Sequence, residues 1–301
     1  MQETIMLFFL SIATPLLDTF AHVASTLGEE VFVIAFILFI FYNINKRGGF
    51  ILFSSTLSSV VAMGTLKAIV RAPRPFQVLP SIQAKRPDTA TGYSFPSGHT
   101  TTAAAAYTSA ALLVGKRAFS ILCAVIIALV GISRLYLGVH WPNDVFGGLV
   151  LGTSISLLAF RALGKLYDEK ERSIIFSLWV GIVAAALALL LALLLNLTGI
   201  DKVAFTDLMK ALSLAGGGYL GFVYERTHVN FTVEGTWVKK ILRWVVGLGG
   251  IVVIMGSKAL FSPAIYEISS CIRYTLIGVW ATGIYPAIGI RIGLFGSDEV
   301  A

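Results

Sequence analysis

Long apolar runs alternate with short polar connections along this chain, and the pattern predicts a bundle of membrane-spanning helices. A helix needs about 20 apolar residues to cross a bilayer. The segments that predict spans are 29–44, 49–70, 98–114, 118–138, 144–164, 174–196, 207–223, 241–257 and 271–293. The run at 98–114 is rich in Thr and Ala. Because such small residues allow close helix contact, we expect this helix at the centre of the bundle.

The N-terminal segment has a different pattern. Residues 4–24 are mostly apolar but include Pro15, Asp18 and His22. We therefore expect an amphipathic helix that lies on the membrane surface, with a further span as the alternative.

The composition agrees with a multi-pass membrane protein. Of the 301 residues, 56% are hydrophobic and 13% are charged, and the mean hydropathy is +0.84. Soluble domains carry about 25% charged residues. The net charge of +7 lies in the connections, where it reports membrane orientation, so no nucleic-acid partner is expected. Cys123 and Cys271 lie in or beside apolar runs and are expected to be packing residues, without a disulfide or a Cys-based metal site.

Basic residues divide the connections into two sets. One set is strongly basic and comprises 46–47, 116–117, 161–172 and 226–243. The positive-inside rule places this set in the cytoplasm and the other set, 71–97, 134–143, 197–206 and 258–270, on the opposite face. Against the rule, that second set also contains Arg71, Arg74, Lys85, Arg86 and Arg134. An anionic ligand would explain these cations. At a predicted helix end in the first set, Glu225 and Arg226 are expected to form a surface or interhelical pair.

Three polar stretches stand at the ends of predicted spans. They are Lys67 followed after six residues by Arg74-Pro75, the sequence PSGH at 96–99, and Ser133-Arg134 followed by His140 and Asp144. Because successive spans alternate in direction, all these ends are expected at one membrane face. Lys67, Arg74 and Arg134 would be costly near a bilayer without an anionic partner. Asp144 is the single acid in the three stretches, so a bound phosphate is the natural counterion.

The histidines in these stretches predict phosphoryl transfer. His140 and Asp144 are four residues apart. A carboxylate that accepts a hydrogen bond from one imidazole nitrogen would leave the other nitrogen free to attack phosphorus. His99 could protonate the leaving oxygen and later deprotonate a water. The backbone of Ser97 and Gly98 opens a helix, where free amides favour an anion. Since cations supply the charge neutralisation, no metal or other cofactor is expected.

The three stretches resemble the motif set of the type 2 phosphatidic acid phosphatase (PAP2) superfamily, which reads K-x6-R-P, P-S-G-H and S-R-x5-H-x3-D. The resemblance implies a metal-independent phosphatase whose nucleophile is His140, oriented by Asp144, with His99 as acid and base. It implies that the phosphate is bound by Lys67, Arg74, Ser97, Gly98 and Arg134. Outside the motif set, Arg71 is a candidate for an outer contact to the phosphate. Lys85 and Arg86 are candidates for the same outer layer, where they could steer or hold a second phosphate, with solvated side chains as the alternative. In bacterial members of this family the site faces away from the cytoplasm, as the loop charges here also predict.

The expected fold is all-α, a polytopic bundle with a six-span PAP2 core and about three C-terminal transmembrane helices. We expect an interfacial helix at 1–28, the phosphatase core at 29–197 and an extension without an assigned role at 198–301. The expected substrate is a lipid phosphate or lipid diphosphate in a prokaryotic cytoplasmic membrane. Undecaprenyl diphosphate, phosphatidylglycerophosphate and phosphatidic acid all qualify. Protein partners are not indicated.

Two other functions are open at this point. The same site would serve a phosphotransferase that passes the phosphoryl group to a lipid or sugar, and a soluble phosphoester is a variant substrate. The additional C-terminal spans suggest a lipid-binding or lipid-transport protein as an alternative of another class. Transporters carry charged residues in the middle of spans, whereas the charged residues here cluster at one predicted face.

Overall fold

A computed structural model describes residues 1–297, and about 81% of the chain is helical, which confirms the all-α class. The α-helices in the described part of the chain are α1 (Gln2–Ser11), α2 (Pro15–Thr26), α3 (Glu30–Asn43), α4 (Lys46–Val70), α5 (Pro75–Val78), α6 (Gly98–Val114), α7 (Arg117–Tyr136), α8 (Pro142–Asp168), α9 (Lys170–Leu197), α10 (Lys202–Tyr224), α11 (Trp237–Gly256), α12 (Tyr266–Val279) and α13 (Tyr285–Arg291).

Short irregular elements join these helices. The 3₁₀ turns are Pro87–Thr89, Ser257–Leu260 and Pro263–Ile265, and two π-helical turns are Glu225–Val229 and Trp280–Ile284. Two short strands, β1 (Phe231–Thr232) and β2 (Gly296–Ser297), pair antiparallel, with Phe231 opposite Ser297.

The number of spans stays a prediction. Within residues 1–297, four helices qualify as spans on their own by length and composition. They are the α4 segment together with the adjoining short helix α5, then α7, α8 and α9. The count rises to six if each of two bent pairs forms one span. One pair is α2 with α3, bent by 48°, and the other joins Trp237–Leu260 to Pro263–Arg291, bent by 120°. The chain is thus a membrane-spanning protein with several apolar helices.

Contacts divide the chain into two compact units. The first comprises Met1–Ile34 and Ile51–Ala162, and the second comprises Ala35–Phe50 and Leu163–Ala301, of which 298–301 lie outside the described residues. The division falls inside α3, α4 and α8, because each of these helices is long enough to contribute to both units. The expected boundaries after residues 28 and 197 therefore do not coincide with this division, and they stay a prediction about function.

In the first unit, α6 is packed closely against its neighbours. Ala103 through Ala106 are fully buried. A Cβ added to Gly152 of α8 would lie 2.4 Å from the backbone oxygen of Thr101, and one on Gly148 would lie 2.8 Å from that of Ser97. Small residues on both helices are thus required for this approach. The approach fixes the start of α8 against the start of α6.

The N-terminal segment of this unit forms two helices, where a single one was expected. Both α1 and α2 pack against α7. The Tyr136 hydroxyl of α7 donates to Asp18 at 2.6 Å and accepts from the Thr14 amide at 3.2 Å. Pro15 stands at the first position of α2 and Thr14 caps it, so the proline starts a new helix instead of continuing the old one.

In the second unit, α10 packs against both α9 and α12. Glu225 follows α10, is fully buried and binds Lys46, which also donates to the carbonyl of Phe231 at 2.9 Å. Arg226 donates to the carbonyl of Tyr167 at 2.6 Å and lies over its ring. The expected Glu225–Arg226 pair is wrong, because each side chain finds its partner elsewhere in the unit. The two cysteines are buried and free, as expected of packing residues.

Candidate active site

The structure brings the three polar stretches together in the first unit. Lys67 lies in the last turn of α4, and Arg74 directly precedes α5. Ser97 caps α6, whose first two residues are Gly98 and His99. Arg134 lies in the last turn of α7, His140 in the following loop and Asp144 in the first turn of α8. Six of these side chains are buried: Lys67, Arg74, Ser97, Arg134, His140 and Asp144.

Asp144 and His140 face each other across the start of α8. His140 Nδ1 lies 3.4 Å from Asp144 Oδ2. The same carboxylate oxygen accepts the backbone amide of Trp141 at 2.7 Å and the hydroxyl of Ser94. The Ser94 oxygen is also 3.5 Å from His140 Nδ1. Three donors therefore converge on one carboxylate oxygen and hold it beside the imidazole.

Arg74 contacts the other ring nitrogen of His140, Nε2. Its Nη1 lies 3.2 Å from His140 Nε2. A guanidinium has no acceptor, so Nε2 must present its lone pair to Arg74. The ring proton is thereby assigned to Nδ1, which donates it towards Asp144. The lone pair that would attack phosphorus thus points at a cation that could hold the phosphate.

The surroundings keep His140 neutral. Burial of the ring, together with the positive charges of Arg74, Arg134 and Lys67, holds the pKa of His140 well below its ordinary value. Both causes penalise the protonated ring. A neutral imidazole retains the lone pair that nucleophilic attack needs.

Backbone carbonyls position Arg74 and Lys67. Arg74 donates to the carbonyls of Thr91 at 2.6 Å, Gly92 at 3.1 Å and Val139 at 2.9 Å. Lys67 Nζ reaches the Thr91 carbonyl at 3.4 Å. The loop before the PSGH stretch is thus tied both to α4 and to the loop that carries His140.

Arg134 and His99 retain polar atoms that a ligand can use. Arg134 Nη1 donates to Ser25 Oγ, and Nη2 lies 3.4 Å from Thr89 Oγ1. Within residues 1–297, the buried Arg134 Nε and the buried His99 Nε2 have no hydrogen-bond partner. Buried polar groups are nearly always paired. These two atoms are therefore available to a ligand.

The PSGH stretch forms an atypical helix start. The Ser97 hydroxyl accepts no backbone amide of α6 and instead accepts from the Thr100 side-chain oxygen Oγ1 at 3.0 Å. The Ser97 amide donates to the backbone oxygen of Asp144 at 2.9 Å. A Cβ on Gly98 would meet only the end of Met63, at 3.6 Å. The stretch is thus fixed to α8, and a Cβ on Gly98 would make only an ordinary van der Waals contact.

The three cations expected as outer contacts have partners of their own. Arg71, at a backbone φ of 53°, turns its side chain back to the Ala68 carbonyl at 3.0 Å. Lys85 binds Asp18. Arg86 lies 2.6 Å from a carboxylate oxygen of Glu29.

Sequence reasoning missed two hydroxyls that support the site. Ser94 stands three residues before Ser97, in a stretch that contributed no fixed motif position. Ser25 lies in the N-terminal segment, more than 100 residues from Arg134. No local signal distinguishes either serine from an ordinary buried one. Only the tertiary contacts show what they do.

A pocket with mainly apolar walls adjoins Asp144. Its volume is about 360 Å³, and its walls are formed by Gln2, Val70, Ala72, Phe95, Trp141, Asn143 and Asp144. The Gln2 side chain accepts the backbone amide of Asn143 at 3.2 Å, so α1 is held against the start of α8. Among residues 1–297, no group of three His, Cys, Asp or Glu side chains is placed to hold a metal ion.

Comparison with known proteins shows which protein family this chain resembles. Residues 48–168 match the model of the PAP2 superfamily, and residues 209–297 match that of the PAP2 superfamily phosphatase, transmembrane extension. The chain is 42% identical to phosphatidylglycerophosphatase B of Bacillus subtilis over 103 residues, which are 30% of this chain and 48% of that protein. It is 31% identical to an undecaprenyl-diphosphatase of Sulfolobus acidocaldarius over 133 residues, 44% of this chain and 64% of that protein.

A solved structure is also similar. It is the crystal structure of the first transmembrane PAP2 type phosphatidylglycerolphosphate phosphatase from Bacillus subtilis, with 30% identity and a TM-score of 0.46 over 56% of this chain and 85% of that one. The chain spans between about half and two thirds of the length of the curated relatives named above. The two family models together cover more than half of the sequence, and the chain belongs to the PAP2 superfamily.

Proposed function

We propose that this protein is an integral membrane phosphatase that removes phosphate from a lipid phosphate or lipid diphosphate through a phosphohistidine intermediate. The observation that carries the proposal is the pairing of His140, whose Nδ1 faces Asp144 while Nε2 faces Arg74. A nucleophilic lone pair and a phosphate-binding cation thus share one position. Each of the relatives named above is a lipid or polyprenyl (di)phosphatase by its name.

Substrate binding would use the cations and the helix start. Arg74, Arg134 and Lys67 would surround the phosphate oxygens, with Ser97 and Gly98 at the open start of α6. On substrate binding, the Arg74 donor that now contacts His140 Nε2 would instead donate to a phosphate oxygen. The lone pair of Nε2 would then be free and directed at phosphorus.

The reaction would proceed in two displacements. His140 Nε2 forms a bond to phosphorus while the bond to the leaving oxygen breaks, and His99 donates a proton to that oxygen. Asp144 stabilises the positive charge that develops on the phosphorylated ring. A water then attacks phosphorus, His99 accepts its proton, and inorganic phosphate and neutral His140 are released.

The proposed site needs no metal or cofactor, because three cationic side chains offset the charge of the phosphate. We place it on the extracytoplasmic face of a prokaryotic cytoplasmic membrane. The basic connections support this orientation, since the positive-inside rule assigns them to the cytoplasm. The apolar pocket beside Asp144 supports a substrate that carries a lipid chain.

The proposal keeps residues 29–197 as the catalytic core and 198–301 as an extension. The match to the transmembrane extension, 209–297, falls within that C-terminal segment. We assign no catalytic residue to the extension, because every proposed catalytic and phosphate-binding side chain belongs to the first unit.

The test is a phosphate-release panel in detergent with EDTA present. We expect release from lipid monophosphates or lipid diphosphates, little release from glucose 6-phosphate, and loss of activity in His140→Asn. His228→Asn is the matched control, because His228 is exposed and lies in the second unit. Full activity of His140→Asn would overturn the mechanism. Phosphoryl transfer to an added alcohol in preference to water would identify a phosphotransferase instead.

A further inference from the structure

The phosphate site has two sides that differ in their neighbours. On one side, His140 lies against Arg74, which is tied to the carbonyls of 91–92 and 139. On the other side, His99 lies against the junction between α2 and α3. A Cβ on Gly28 would be 2.8 Å from the His99 backbone oxygen and 3.2 Å from its Cβ. The residues around Gly28 therefore line the His99 side.

Arg86 is anchored at this same junction. Its Nη2 lies 2.6 Å from an oxygen of Glu29, the residue after Gly28, and its Nη1 donates to the backbone oxygen of His22 at 3.3 Å. About a fifth of the Arg86 side chain is exposed, so its guanidinium is partly open to a ligand. Arg86 is thus brought to the His99 side by contacts distant in sequence.

Arg134 joins Arg86 to the phosphate site. Arg134 Nη2 lies 3.4 Å from Thr89 Oγ1, and that hydroxyl lies 3.4 Å from the Arg86 carbonyl oxygen. Arg74 is the cation that contacts His140, at 3.2 Å from Nε2. Arg86 is bound to Glu29, next to Gly28, which lies against His99. The charges therefore divide into a nucleophile side and a His99 side, with Arg134 between them.

In a displacement at phosphorus, the His99 side is where the leaving group would depart. The attacking and leaving atoms lie roughly in line through phosphorus, so a leaving group would depart on the side away from His140. A lipid alcohol leaves as a neutral molecule once it is protonated, and it has no use for a cation. A lipid monophosphate leaves as an anion, and an arginine there would hold it by charge-assisted hydrogen bonds.

We propose that Arg86, with Arg134, forms a subsite for the second phosphate of a lipid diphosphate, and that this class is the preferred substrate. The proposal rests on the proposed phosphatase function. His140 Nε2 would attack the terminal phosphorus, the bond from that phosphorus to the bridging oxygen would break, and lipid monophosphate would leave with that oxygen. Water would then release inorganic phosphate from His140, so one water is consumed for each diphosphate.

Glu29 gives the test its sharpest comparison. If Arg86 only holds the loop before α6 in place through its ion pair with Glu29, then Glu29→Gln should change substrate preference as much as Arg86→Gln. If Arg86 binds phosphate, Glu29→Gln leaves the cation in place and Arg86→Lys retains most of its effect. Lys258→Gln is the control for a lost positive charge, because Lys258 is exposed and lies in the second unit.

The experiment measures kcat/KM for farnesyl diphosphate and farnesyl phosphate, which carry the same chain, with full-length protein in detergent. We expect Arg86→Gln to lower the diphosphate-to-monophosphate ratio of kcat/KM by about tenfold or more, since hydrogen bonds to charged groups contribute that much to binding. We expect Arg86→Lys, which keeps a positive charge that binds phosphate, to change the ratio by less than about threefold, and we expect the same of Glu29→Gln and Lys258→Gln. An unchanged ratio in folded Arg86→Gln, or an equal fall in Glu29→Gln, would overturn the proposal.

A measurement on the unmodified protein covers the case in which Arg86→Gln fails to fold. Methylenediphosphonate should inhibit with an inhibition constant about tenfold or more below that of inorganic phosphate, because it fills both subsites. Equal inhibition by the two anions would contradict the subsite. Absence of phosphate release from either farnesyl substrate, with active controls, would instead refute the proposed function.

Discussion

Asp144→Asn tests how much the carboxylate beside His140 contributes to catalysis. The substitution keeps the size of the side chain and retains an oxygen that can accept from Trp141 and Ser94, but it removes the negative charge. In the proposed intermediate, His140 carries phosphate on Nε2 and a positive charge shared with Nδ1. The carboxylate oxygen lies 3.4 Å from that nitrogen.

The distance sets the size of the expected effect. Two unit charges 3.4 Å apart attract by about 5 kcal/mol at an effective dielectric constant of ~20, and by about 1 kcal/mol in bulk water. Each 1.4 kcal/mol changes a rate by about tenfold. Because both side chains are buried, we expect a loss nearer the upper limit, a fall in the rate of phosphoenzyme formation of about a thousandfold.

The assay is single-turnover formation of the phosphoenzyme with radiolabelled substrate, measured by rapid quench. Asp18→Asn is the matched control, since Asp18 is a carboxylate of the same unit that binds Lys85 and Tyr136 away from His140. Thermal unfolding would establish that both variants are folded. A folded Asp144→Asn protein that forms phosphoenzyme within threefold of the wild-type rate would refute the electrostatic argument.

Three further predictions concern the neighbourhood of the site and the second unit. Ser94→Ala removes one donor from the Asp144 carboxylate and should lower kcat by about tenfold with little change in KM, whereas a wild-type kcat would show that Ser94 has no positioning role. The lowered pKa of His140 keeps the ring neutral as the pH falls, so the acid limb of kcat/KM should lie below the ordinary value of about 6.5; a limb above that value would contradict the assignment. In thermal unfolding, Glu225→Gln should destabilise the second unit by about 3 kcal/mol, because Lys46 loses its buried partner, and an unchanged midpoint would refute this.

The helices and their ends could be predicted from the sequence because the signals are local. Each segment expected to span the membrane overlaps helix in the structure, although 271–293 is divided among α12, the π-helical turn Trp280–Ile284 and α13. Two residues show why helix boundaries can be predicted locally. Pro142 begins α8, and Gly115 follows α6 with a φ of 65°. Motif spacing likewise indicated that Lys67, His99 and His140 would meet at neighbouring helix ends.

The supporting contacts could not be predicted, because they join segments that are distant in sequence. Ser25 binds Arg134 across 109 positions, and Glu29 binds Arg86 across the α2–α3 junction. The expected pairing of Glu225 with Arg226 failed for the same reason. Neighbours in sequence were assumed to be partners, whereas Lys46 lies 179 positions away.

The central claim is that His140 becomes phosphorylated. The most direct measurement is to quench full-length protein with base during turnover of a lipid phosphate and to locate the phosphate by peptide mass spectrometry. The account predicts a base-stable, acid-labile phosphate on His140 that is absent from His140→Asn. Turnover at the wild-type rate by folded His140→Asn, or phosphate found on another residue in its place, would contradict the account.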